Sequence, residues 1–145
     1  YEISNYAKPG YMCRHNAGYW QRREYLGFGL GASSLYRKLR FSNTRRMQEY
    51  LTDSGKLEQI RKEVTVLSRN EQIEEFMFLG LRMTEGISEK LFKETFGVRI
   101  MDIYGDILQK YEAIGFMEHI ETKWCLTRKG IHVSNHILAD FLLDE

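Results

Sequence analysis

The chain holds one proline and two cysteines among its 145 residues. No apolar run comes near the roughly 18–20 residues that a membrane-spanning helix needs, and no signal peptide is visible. One proline with 13% aromatic residues excludes a collagen-like or proline-rich disordered chain, and the length suits one ordinary domain or two small ones. Cys13 and Cys125 cannot by themselves hold a metal cluster, and neither stands in a Cys-x-x-Cys pair. A single bridge between them is one reading; free thiols in a cytoplasmic chain is the reading adopted. His132 and His136 stand four apart, as a zinc pair or as part of a solvated helix surface, and no metal site is expected. Tyr1 opens directly into a strand-like run without an initiator methionine, which suggests an excised piece of a longer chain.

The net charge of +1 conceals an asymmetry. Residues 1–67 carry 12 Lys/Arg against 6 Asp/Glu, and residues 68–145 carry 9 against 14. A basic first part suits an anionic small ligand; an acidic second part does not suit nucleic acid.

Hydropathy patterning predicts a short strand at 1–4, a turn at Lys8-Pro9-Gly10 and a short helix at 16–21. Residues 25–32 read as a buried strand and 35–41 as further extended chain. A helix capped by Asn43 or Thr44 should run to about Thr52, closed by Asp53-Ser54-Gly55. A strand at 62–67 precedes a change to helical periods from Ser68, which with Glu71 has capping-box spacing. Ser88 should cap a helix ending at Gly97, and a third helix should end at Gly115. A hairpin across Glu121-Thr122 and a last helix capped by Thr127 complete the chain. Three helices, a hairpin and a closing helix make the order of a winged-helix domain, a helix-turn-helix variant. Its third helix offers Lys110 against Asp102, Asp106 and Glu112, so a packing role fits better than DNA binding or a winged-helix regulator.

Two stretches carry candidate chemistry. In Tyr25-Leu26-Gly27-Phe28-Gly29-Leu30-Gly31-Ala32-Ser33 a strand would place Gly27, Gly29, Gly31 and Ser33 on one bare face. Such a face admits close approach by a ligand or backbone, or tight packing on a helix. In His15-Asn16-Ala17-Gly18-Tyr19-Trp20 a helix would place His15 and Tyr19 on one face, with Asn16 and Trp20 beside them. These side chains suit a flat aromatic ligand or haem iron, or else Asn16 caps a turn and the aromatics fill core.

The run Tyr1-Glu2-Ile3-Ser4-Asn5-Tyr6-Ala7-Lys8-Pro9-Gly10, His15-Asn16, Tyr19-Trp20, Tyr25 to Ala32 and Arg40-Phe41-Ser42-Asn43 resembles the haem-chaperone branch of the oxygen-independent coproporphyrinogen III oxidase-like radical-SAM proteins. Leu79-Gly80-Leu81-Arg82-Met83, Gly86-Ile87 and Leu126-Thr127-Arg128-Lys129-Gly130 look like that family's C-terminal domain. The sequence departs at Cys13, Leu30 and Ser33, where members commonly carry Ser, Pro and His.

The resemblance implies an α+β chain: the end of a partial (β/α) radical-SAM barrel (residues 1–55), a connecting segment (56–67) and a mainly helical winged-helix-like C-terminal domain (68–145). It implies a 4Fe–4S cluster and S-adenosylmethionine in the intact parent, the cluster held by an N-terminal barrel half missing here. Gly27, Gly29, Gly31, Ala32 and Ser33 would border the cofactor, and His15, Asn16, Tyr19 and Trp20 would meet haem or substrate. The function implied is haem binding and transfer to acceptor proteins. Its alternative is radical oxidative decarboxylation of coproporphyrinogen, and the piece alone is expected to be inactive in that chemistry.

Overall fold

The computed structural model describes residues 1–143. It divides into two compact units, residues 23–69 and residues 1–22 together with those from 70 onward. Sequence patterning suggests the partition 1–55, 56–67 and 68–145, whereas three-dimensional contact groups the first 22 residues with the helical part.

In the unit of residues 23–69, β1 (Ser33–Tyr36) and β2 (Leu39–Asn43) form a hairpin, and β3 (Arg61–Val66) pairs with the other edge of β2. All pairings are antiparallel, in the order β1-β2-β3. The hairpin turns at Arg37 and Lys38, both with positive φ (48° and 65°). This turn geometry favours Asn and Gly, so nothing in Tyr-Arg-Lys-Leu announces it. The amide of Arg37 donates to Glu24 Oε1 at 2.9 Å, and the amide of Leu67 donates to the Lys38 carbonyl. α2 (Met47–Asp53) and α3 (Leu57–Ile60) link β2 to β3, and Leu35, Phe41, Ile60 and Leu67 are buried. α2 starts later than expected. Thr44 does not cap it directly, but its hydroxyl accepts from the Arg46 amide and donates to Glu49.

Residues 25–32 are not the expected strand. Only Tyr25 bridges to Leu35, and Gly29 and Gly31 have φ of 101° and 67°, which no pleated strand contains. The supposed buried face is turned outward, Phe28 being 87% exposed. Residues 1–4 likewise form bridges at Glu2 rather than a strand.

In the other unit α1 (Arg14–Trp20) precedes α4 (Arg69–Arg82), β4 (Ile87–Ser88), α5 (Glu89–Phe96), α6 (Ile100–Ala113), β5 (Met117–Ile120), β6 (Lys123–Leu126), α7 (Arg128–His132) and α8 (Ser134–Ala139). The sheet order β4-β6-β5 and the helix order are those of a winged helix. Helical periodicity selects the core: Ile73, Met77 and Leu81 of α4, and Ile100, Tyr104, Leu108 and Tyr111 of α6, are buried. Phe92, Trp124, Ile137 and Phe141 join them, each fully buried side chain contributing roughly 1.5–3 kcal/mol. The Tyr104 hydroxyl donates to the Phe141 carbonyl at 3.0 Å, so this deeply placed polar group is satisfied. Ser88 accepts from the Leu91 amide, Thr127 accepts from the Gly130 amide, and Gly97 ends α5, as their positions imply. The expected single last helix is two: Val133, at φ −117° and ψ 19°, breaks it and leaves His132 and His136 on different helices. The mixed helix-and-sheet class matches expectation, and no closed barrel forms among the described residues.

Two glycine substitutions separate packing from propensity. A Cβ on Gly130 would lie 1.9 Å from the Phe116 carbonyl oxygen, whereas one on Gly105 would meet only Met101 at 3.5 Å. Gly130→Ala should lower stability by about 1–3 kcal/mol. Gly105→Ala, within α6, should raise it by roughly 0.5–1 kcal/mol. Denaturant titrations of both variants check these opposite signs.

Candidate functional site

α1 is short, and what holds it is the segment before it. Glu2 is 1% exposed, yet it carries a carboxylate. Arg82, at the end of α4, donates to Glu2 Oε1 through Nε (2.8 Å) and Nη2 (2.7 Å). The amide and hydroxyl of Ser4 both donate to Oε2 at 2.9 Å, and the Asn5 amide group donates there too. Burial pushes the Glu2 carboxyl up, but the hydrogen bonds from Asn5, Ser4 and Arg82 outweigh it and hold the group below the usual carboxylate range. Backbone bonds from Ile3 to the Arg82 carbonyl and from Thr84 to the Tyr1 carbonyl run alongside.

The same arginine reaches α1. Its guanidinium lies 4.8 Å from the centre of the Trp20 ring, a cation–π contact. The Asn16 amide group donates to the Tyr1 hydroxyl and to Asn5 Oδ1, each at 3.0 Å. Ala17 is buried between them, and Arg22 pairs with Glu75 at 2.9 Å just beyond the helix. The indole N–H of Trp20 is buried and finds no acceptor among the described residues.

The candidate motif therefore divides by helix face. Asn16 and Trp20 turn inward and anchor the helix. His15 and Tyr19 are exposed, with the Tyr19 hydroxyl 2.8 Å from His15 Nε2 and the rings edge to face at 4.9 Å. A phenol and an imidazole in hydrogen-bond contact on a surface helix can accept a metal from outside, since either is a haem-iron ligand type. Glu2, Asn5 and Arg82 were not singled out as site residues in the sequence. The signal available was Arg82 itself, a lone base ending the apolar stripe of α4 and lying in the quoted Leu79 to Met83 run.

The second candidate group lies in the other unit. Residues 27–32 form a tied loop: the Asn43 side chain donates to the carbonyls of Gly27 (3.3 Å) and Gly29 (2.9 Å). The Gly27 amide donates to Ser34 Oγ, the Gly31 amide to the Thr44 carbonyl, and the Asn43 amide to the Ala32 carbonyl. Ser33 is the first residue of β1, opposite Ser42. A Cβ on Gly27 would lie 2.2 Å from the Ser33 carbonyl oxygen, while Gly29 has open space and a backbone that disfavours side chains. Here glycine serves the loop's own path, and the bare strand face does not exist.

The described residues offer no group of three His, Cys, Asp or Glu able to hold a metal. Cys13 is exposed; Cys125 is buried, donates to the Glu85 carbonyl at 3.3 Å, and has its thiol pKa pushed up by burial. An iron–sulfur cluster does not fit these donors.

Glu2→Gln tests the clamp. The folded-state pKa of Glu2 lies below the ordinary 4.5, so its ionised form stabilises the fold above that pH, and the contribution fades as pH falls through the lower folded value. At pH 7 the variant should be less stable by about 3 kcal/mol, and the gap to the native protein should begin to narrow as pH falls below the ordinary 4.5 and go on shrinking toward the lower folded value. Parallel melts from pH 7 to pH 3 check both the size and the sign.

Residues 67–133 match the family model described as the HemN C-terminal domain. The chain is 34% identical over its full length to the heme chaperone HemW of Lactococcus lactis subsp. lactis (strain IL1403), covering 38% of that protein. It is 34% identical over 98% of its length to the heme chaperone HemW of Bacillus subtilis (strain 168), and 29% identical over 99% to that of Escherichia coli (strain K12), again 38% of each. The solved coproporphyrinogen III oxidase (HemN) of Escherichia coli, described as a radical SAM enzyme, superposes with a TM-score of 0.64 over 83% of this chain and 28% of that one. At 16% identity that likeness concerns the fold alone. The chain thus spans well under half the length of these HemW relatives, to which it is similar along its whole length, and its residues 67–133 match the HemN C-terminal domain.

Proposed function

We propose that the protein carrying this chain is a haem chaperone, binding haem and passing it to acceptor proteins, with His15 and Tyr19 facing the iron. The observation that carries this reading is the exposed His15–Tyr19 pair on a helix whose adjacent face is held by Asn16 and Trp20. The relatives named heme chaperone support it. A helix held from behind presents its ligands at little ordering cost, and an exposed pair suits cargo that must leave again. Asn16 and Trp20 act by positioning. The basic balance of residues 1–67 suits the propionates of a haem or porphyrin.

In this reading S-adenosylmethionine and a 4Fe–4S cluster belong to the intact protein, whose cluster donors would lie outside this chain. Gly27, Gly29, Gly31, Ala32 and Ser33 form the loop offered to that cofactor, a rigid backbone rim held by Asn43. A cytoplasmic setting accords with free thiols at Cys13 and Cys125, and no helix among the described residues is long and apolar enough to cross a membrane. The second reading, oxidation of coproporphyrinogen, draws on the fold likeness to HemN.

Haem titration followed at the Soret band tests the proposal. His15→Ala with Tyr19→Phe should weaken haem binding at least tenfold with an unchanged melting temperature, since both side chains are exposed. Haem affinity equal to the native protein's in that double variant would refute the assignment.

A further inference from the structure

The C-terminal part is acidic overall, yet three cations gather at one place in it. Where α5 and α6 begin and the β5–β6 turn passes, the surface opens into a cavity of about 450 Å³. Ile100 and Met101 supply its apolar lining, and Lys90, Lys93 and Arg99 surround it. Glu89 also borders the cavity, but its Oε1 accepts from the Trp124 indole at 2.9 Å and lies 3.2 Å from His119 Nε2, toward the hairpin. Arg99 bonds Asp102 through Nε and Nη2 while its side chain stays 71% exposed, leaving donors for another acceptor. Lys90 approaches Glu94 only at 3.9 Å with both exposed, a contact of little worth in water. Lys93 forms no ion pair among the described residues.

The frame around these cations is firm. The Glu89 amide donates to the Thr122 carbonyl at 2.9 Å, tying the hairpin turn to the start of α5, and Ser88 caps that helix. Glu89 and Lys90 sit on the first turn of α5, Lys93 lies further along that helix, and Arg99, Ile100 and Met101 sit at the start of α6, whose N-terminal dipole adds to the positive field. The volume lies within the range of ligand pockets.

We propose that this cavity docks an acidic peptide segment of a partner protein. An apolar side chain of the segment enters against Ile100 and Met101, and carboxylates on either side of it meet Lys90, Lys93 and Arg99. A nucleic-acid duplex fits less well. Its phosphates, running on along α6, would meet Asp102, Asp106 and Glu112, whereas a short peptide touches the cavity alone. The docking stands independently of the haem reading, which enters only in making the partner a haem acceptor.

The test uses a fluorescein-labelled twelve-residue synthetic peptide carrying one leucine flanked by glutamates, titrated with the whole protein and read by anisotropy. Binding should saturate, weaken as salt rises from 50 to 500 mM, and fall at least tenfold in Lys90→Gln/Lys93→Gln. Met101→Ala should weaken it as well, and the same peptide with glutamine in place of glutamate should bind at least tenfold more weakly. The melting temperature and haem titration of the lysine variant should match the native protein's, which separates failure here from failure of the haem assignment. Native affinity in the folded lysine variant, equal affinity for the glutamine peptide, or displacement of the peptide by an equimolar random duplex would each overturn the proposal.

Discussion

The ion pair of Glu2 and Arg82 is the interaction on which the rest of the N-terminal arrangement depends. A carboxylate at 1% exposure is costly unless every lone pair is met, and here Arg82, Ser4 and Asn5 meet them. Each of those partners has a second task. Asn5 also accepts from Asn16, and Arg82 also lies over Trp20. The pair thus fixes the end of α4 to the first residues and through them to α1, a helix with too few turns to persist alone. That coupling follows from charge satisfaction rather than apolar area, which explains why residues 1–22 group with the distant helices and not with the chain that follows them.

The winged-helix part was legible because its signals are local and agree. Periods of three and four mark α4 and α6, Ser88 and Thr127 cap where they should, and Gly97 and Gly115 stand past helix ends with positive φ. The earlier part was harder to read because its determinants are not local. Alternating glycines mimic a strand with one bare face, but the alternation serves a loop with positive φ values whose carbonyls at Gly27 and Gly29 are held by Asn43, 16 and 14 residues away. The Arg37–Lys38 turn lacks turn residues and is held by Glu24. The break at Val133 carries no proline or glycine. At the candidate site the spacing of His15 with Tyr19 and Asn16 with Trp20 was readable as helix geometry. Which pair faces outward was not, because that depends on Glu2 and Arg82.

This division of labour gives the site its character. Inward, Asn16 is hydrogen-bonded and Trp20 lies against the Arg82 guanidinium, so they set the position of α1; the outward pair is exposed and hydrogen-bonded to each other. A transfer protein needs that combination, a rigid mount with an exposed ligand pair, more than it needs a deep pocket. The glycine loop follows the same logic with backbone instead of side chains, since Asn43 fixes two carbonyls and leaves Phe28 outside.

The central claim is that Arg82 holds α1 from behind. Amide hydrogen exchange, comparing the native protein with Arg82→Met, measures that directly. Exchange should be markedly faster at residues 17–21, whose amides bond within α1, with little change across α6. Unchanged protection of α1 in a folded Arg82→Met protein would contradict it.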